Sequence, residues 1–120
     1  MPMTSSELAC QIGQLALEKK ALDVKILDLR DLDAVTDYFV ICSGQVDLQV
    51  KAIVDHIYDS LAAVKVKPLH REGYEYLQWV LLDYIDVVVH VLVPDRREFY
   101  SLETLWVDAD VQELTDESSE

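Results

Sequence analysis

Tyr38-Phe39-Val40-Ile41-Cys42-Ser43-Gly44 is a nearly continuous apolar run stopped by a serine and a glycine. A strand covered on both faces reads this way, whereas a half-exposed strand alternates. Beyond the glycine, Val50, Ile53, Val54, Ile57, Leu61 and Val64 recur at three- and four-residue spacing. That stripe predicts the longest helix of the chain, with Asp47 available as its cap.

Upstream of the run, Thr4 and Glu7 have capping-box spacing, and Leu8, Ile12, Leu15 and Ala16 follow at helical intervals, so a helix is expected from about residue 5 to 19. Val24, Ile26, Leu27 and Leu29 predict a strand, and 30–36 a polar connection. Downstream, Lys67-Pro68 should end the long helix, Leu69-His70 is expected as a short strand, and Glu72-Gly73 as a turn. Trp79–Asp83 and Val87–Val93 read as two adjacent strands closed by Pro94, and Phe99, Leu102, Leu105 and Trp106 mark a final helix.

With 120 residues, 51% of them hydrophobic, one domain is expected, spanning 1–107. Residues 108–120 hold six acids (Asp108, Asp110, Glu113, Asp116, Glu117 and Glu120) and no lysine or arginine, so a disordered acidic tail is expected there. Ten basic against 23 acidic residues give a net charge of −13, and −7 remains without that tail. Such a field repels a nucleic-acid backbone and speeds encounter with a basic protein surface. Direct nucleic-acid contact is therefore not expected as the main mode of binding. Cys10 and Cys42 form no CxxC pair, the first residues lack a leader pattern, and no apolar run reaches the roughly 18 residues that span a bilayer. A cytoplasmic protein without membrane contact is expected.

Three blocks of this chain resemble the ribosomal silencing factor family, of the Iojap-related or RsfS type. The first is Thr36 to Gly44 with Gln49-Val50, Ala52-Ile53 and Asp55-His56. The second is Trp79 to Tyr84 with Asp86 to Val91, and the third is Arg97-Glu98-Phe99-Tyr100 leading to Leu102-Glu103 and Leu105-Trp106. The resemblance implies a single small α/β domain, a mixed sheet packed with helices in a nucleotidyltransferase-like topology. It also implies binding to ribosomal protein number fourteen of the large ribosomal subunit, which blocks subunit association and dampens translation when nutrients are scarce. The chain departs from the family at Ile85, where glycine is common, and at Gln45-Val46, where a Ser/Thr pair is common. A β-branched residue would be strained if that position needs positive φ.

The implied fold makes a nucleotidyltransferase-like enzyme or nucleotide-binding protein the alternative, with Ser43-Gly44 as its phosphate turn. Its carboxylate pair is missing from the sequence: Asp31 and Asp33 lie upstream of the turn, Asp83 and Asp86 flank an apparent hairpin, and Asp108 and Asp110 fall in the tail. Ser43 lacks the nucleophile elbow that a triad with His90 would need. His56, His70 and His90 lack metal-site spacing, so no metal or other cofactor is expected. One glycine is a weak signal for an anion cradle, and a plain strand-to-helix turn explains Gly44 better. Sequence leaves a homodimer, or a self-associating module, open.

The expected docking site is a hairpin about Tyr84-Ile85, with Asp83 opposite Asp86, Leu81 opposite Val88 and Trp79 opposite His90. One face would carry Val80, Leu82, Val87, Val89, Val91 and Val93, the core side. The other combines an aromatic anchor with acidic groups, as a protein-binding patch does. Its candidate partner-binding residues are Trp79, Leu81, Asp83, His90 and Leu92, with Tyr84 reaching from the turn. The competing explanation is that Trp79 is buried under the last helix.

Overall fold

The capping box at Thr4 closes in both directions. The Glu7 N–H donates to Thr4 Oγ1 at 3.1 Å and the Thr4 N–H to Glu7 Oε1 at 2.9 Å, starting α1 (Ser5–Glu18). The structure, a computed structural model, describes residues 3–32, 34, 36–100 and 109–115, with only the backbone of Phe99 and Tyr100. The remaining elements are β1 (Leu22–Asp28), β2 (Tyr38–Ser43), α2 (Asp47–Ala63), β3 (His70–Glu72), β4 (Trp79–Asp83), β5 (Val87–Leu92), α3 (Pro94–Tyr100) and β6 (Asp110–Leu114). Leu102, Leu105 and Trp106, expected in the last helix, lie outside the described residues.

The six strands form one mixed sheet in the order β3-β4-β5-β2-β1-β6. β2 and β5 pair in parallel, Tyr38 beside Val87 and Ser43 beside Leu92, and the other neighbours are antiparallel. The apolar run 38–43 thus lies inside the sheet, which explains its lack of alternation. α1 and α2 cover one face, where Ile12, Val50, Ile53 and Ile57 meet Val40, Val80, Leu82, Val87, Val89 and Val91 in the main core. A smaller cluster of Leu27, Leu29, Ile41 and Leu92 occupies the other face.

Both long helices end without glycine. Lys20 and Lys65 take φ of +63° and +66°, and the next N–H, from Ala21 and Val66, returns to Ala16 and Leu61 at 3.1 and 2.8 Å. These are Schellman closures, so α2 stops at Ala63, before Lys67-Pro68 has any part in ending it. Its N-cap is Val46, which supplies no side-chain bond; Asp47, expected as the cap, is the first helical residue. There its charge still favours the positive end of the helix.

The stretch expected as a disordered tail contains a strand. β6 pairs with β1 from Asp28–Asp110 to Val24–Leu114. Leu114 packs against the core beside Gly13, where a Cβ would come within 2.3 Å of its Cδ1. Lys25 Nζ lies 3.9 Å from Glu113. An edge strand is held mainly by backbone hydrogen bonds, so an acidic composition does not preclude it. Residues 116–120 lie outside the described residues. No helix among the described residues is long and apolar enough to cross a membrane.

Candidate docking face on the β4–β5 hairpin

The hairpin register differs by two residues from that expected. Asp83 stands opposite Val88, Leu81 opposite His90 and Trp79 opposite Leu92, because the chain reverses through Tyr84, Ile85 and Asp86 rather than a two-residue turn. A shift of two leaves every side chain on its face, since the side-chain period of a strand is two. Val80, Leu82, Val87, Val89 and Val91 are therefore fully buried under the helices, as expected.

On the opposite face, Trp79, Leu81, Asp83 and Val88 are half-buried. Trp79 packs against the Leu27–Leu29–Ile41–Leu92 cluster, and its Nε1–H donates to His90 Nδ1 at 3.1 Å. The His90 ring, 4% exposed, meets the Phe39 ring edge-on at 4.6 Å. Burial pushes the His90 pKa down to about 4, so the imidazole is neutral at pH 7. Because Nδ1 accepts from Trp79, the proton sits on Nε2, which is buried without a hydrogen-bond partner.

Three of the six expected contact residues are thus covered. Leu92 is 0% exposed in the smaller cluster, and His90 lies beneath Trp79. Tyr84 does not reach out from the turn but points into the main core, where burial pushes its phenol well above the ordinary range. Trp79, Leu81 and Asp83 remain together at the surface. Sequence reasoning missed Ile85 as an exposed group: it is 60% exposed with φ +74°, and its N–H donates to Asp83 Oδ1 at 2.8 Å. Left-handed backbone costs an L residue roughly 1–2 kcal/mol. Leu69, 62% exposed, precedes β3, its N–H bonded to the Asp83 carbonyl at 2.7 Å. Alternation cannot reveal either residue, since both lie outside the strands.

The Ser43-Gly44 turn is accounted for by packing. A Cβ on Gly44 would lie 2.8 Å from the Val50 nitrogen, so close approach to α2 requires glycine whatever the turn binds. Ser43 Oγ accepts from the buried Arg97 at 3.2 Å, a partner across 54 residues of sequence. The Cys42 thiol is buried and pushed up to about 12, which keeps it protonated and inert. No group of three or more potential metal ligands occurs among the described residues.

Comparison with known proteins places this geometry in context. The model of the family described as ribosomal silencing factor during starvation matches residues 2–120. The ribosomal silencing factor of Bacillus subtilis is 42% identical over 97 residues, 81% of this chain and 82% of that protein. Its namesake in Halalkalibacterium halodurans is 38% identical over 112 residues, 93% of this chain and 96% of that one. A crystal structure from Chromobacterium violaceum superposes with a TM-score of 0.84 at 31% identity, covering 88% of each chain.

Proposed function

This chain belongs to the ribosomal silencing factor family, and from that premise we propose that it binds the large ribosomal subunit through ribosomal protein number fourteen. Bound there, it excludes the small subunit sterically and so represses translation under nutrient limitation. Steric exclusion requires no catalytic group; potency follows affinity and residence time. The observation that carries this reading is the half-buried Trp79 beside Leu81 and Asp83 on the face of β4 turned away from α1 and α2. An aromatic anchor with apolar and acidic neighbours suits a basic protein partner, and a net charge of −13 speeds encounter with one.

Sedimentation of the purified protein with separated ribosomal subunits tests the proposal. Co-migration with the large subunit and not the small one is expected, together with fewer joined ribosomes as the protein is titrated in. Migration with neither subunit sinks the reading.

A further inference from the structure

At 4% exposure His90 is too deep to meet a partner, but it holds a residue that can. Its ring lies between two others. Phe39 of β2 meets it edge-on at 4.6 Å, and the Trp79 indole of β4 leans over it with centroids 6.0 Å apart. Leu81, not Trp79, stands opposite His90 across the strand pair, so the indole reaches it diagonally and its Nε1–H donates to Nδ1 at 3.1 Å. That bond selects the neutral Nε2–H tautomer, since a protonated ring would set two N–H groups against each other. It also leaves the Nε2–H buried with no partner among the described residues. For the fold alone, histidine is a poor choice here. One neutral hydrogen bond gains less than a stranded buried donor costs, and a leucine of similar volume would strand none.

We infer that His90 is a positioning residue of the docking face: its Nδ1 holds the half-buried Trp79 indole in the orientation in which that ring meets the ribosomal partner. The inference rests on the proposed docking through Trp79 and names what prepares that anchor for it. A side chain already ordered by the residue behind it need not be ordered by binding, so more of the contact shows as affinity. Rotamer counting sets the size of the effect. Without the acceptor an indole has three staggered χ1 wells and two broad χ2 wells, so the competent orientation falls to between about a third and a sixth, and affinity falls about three- to sixfold.

The test is a double-mutant cycle of His90→Leu with Trp79→Phe, read by affinity for purified large subunits and by a denaturant midpoint for each protein. Trp79→Phe keeps an aromatic ring and removes the N–H. His90→Leu should weaken binding about three- to sixfold in the wild-type background and less than about twofold in the Trp79→Phe background. His90→Asn, whose Oδ1 stands as many bonds from Cα as Nδ1, should bind more tightly than His90→Leu although it unfolds at lower denaturant, since it buries an amide. In the free wild-type protein, the indole N–H resonance that Trp79→Phe removes should exchange slowly with solvent, and faster in His90→Leu. An equal loss in both backgrounds would make His90 a support of the fold alone and overturn the inference while the docking reading stands. Fast exchange of that resonance in wild type would do the same, and it requires no variant at residue 90 to fold. If wild type does not bind the large subunit, the docking reading falls and the inference falls with it.

Discussion

The two faces of the sheet are made from the same strands and finished differently. On one, Val80, Leu82, Val87, Val89 and Val91 are covered by α1 and α2 with no polar side chain among them. On the other, among the described residues, the buried cluster has four members, its rim of Leu32, Ala34, Phe39, Trp79 and Ala109 is half-buried, and it admits an imidazole whose second nitrogen has no partner. An unsatisfied buried polar atom costs about 1–3 kcal/mol, and the main core holds one too, the hydroxyl of Tyr84. What sets the second face apart is that it keeps a half-buried indole at the surface. The contrast teaches that the helix-covered face holds most of the buried core, while the other leaves Trp79, Leu81 and Asp83 within reach of solvent.

The largest effect that bears on this contrast is a pH dependence. His90 is depressed to about 4 in the folded protein from an ordinary 6.5, so between those values the unfolded chain binds more protons than the folded one. Stability from this group is therefore complete above about pH 6.5 and is lost as pH falls toward 4, by about 3 kcal/mol in all. Denaturant titrations across that window should show a loss that His90→Gln largely removes. Parallel curves for the two proteins would mean that the second face is wet and that the two faces differ less than described.

Next in size is Trp79→Ala, which should cost at least about 2 kcal/mol of large-subunit binding. Its loss of unfolding free energy should be smaller, since the indole is only half-buried. A stability loss exceeding the binding loss would move Trp79 into the core and leave the docking surface to Leu81 and Asp83.

Periodicity made the strands and long helices legible, and alternation sorted β4 and β5 onto the correct faces. What it lacked was depth and register. Leu92 and His90 are covered because Leu27, Leu29, Ile41 and Phe39 arrive from strands distant in sequence, which no local pattern announces. The register depended on an isoleucine accepting a left-handed backbone, and the helix ends on lysines doing the same at Lys20 and Lys65, where glycine would have signalled the turn. Tyr84 and Ile85 exchanged roles for that reason: the reversal sends the tyrosine inward and the isoleucine out. β6 escaped notice because counting acids measures how much apolar surface a segment can bury, whereas this strand is recruited through the free backbone edge of β1.

That edge supplies the smallest expected effect and a clean separation of the two faces. Removing residues 110–120 strips β6 from β1 and withdraws Leu114 from Gly13 on the helix-covered side, while Ala109, on the rim of the second face, stays. Leu114 is only partly buried and the strand is otherwise exposed, so its loss should cost about 1 kcal/mol, less than full burial of a leucine provides. The deletion also removes five acids, which at physiological ionic strength should slow association with a basic partner only modestly. A chain ending at Ala109 should therefore unfold at lower denaturant yet bind the large subunit within tenfold of wild type, equivalent to about 1.4 kcal/mol. Measured side by side, its midpoint and its subunit affinity should move independently. A larger loss of affinity at normal salt would show that β6 or the residues after it contribute directly to docking, and the division of labour between the two faces would have to be redrawn around the acidic edge.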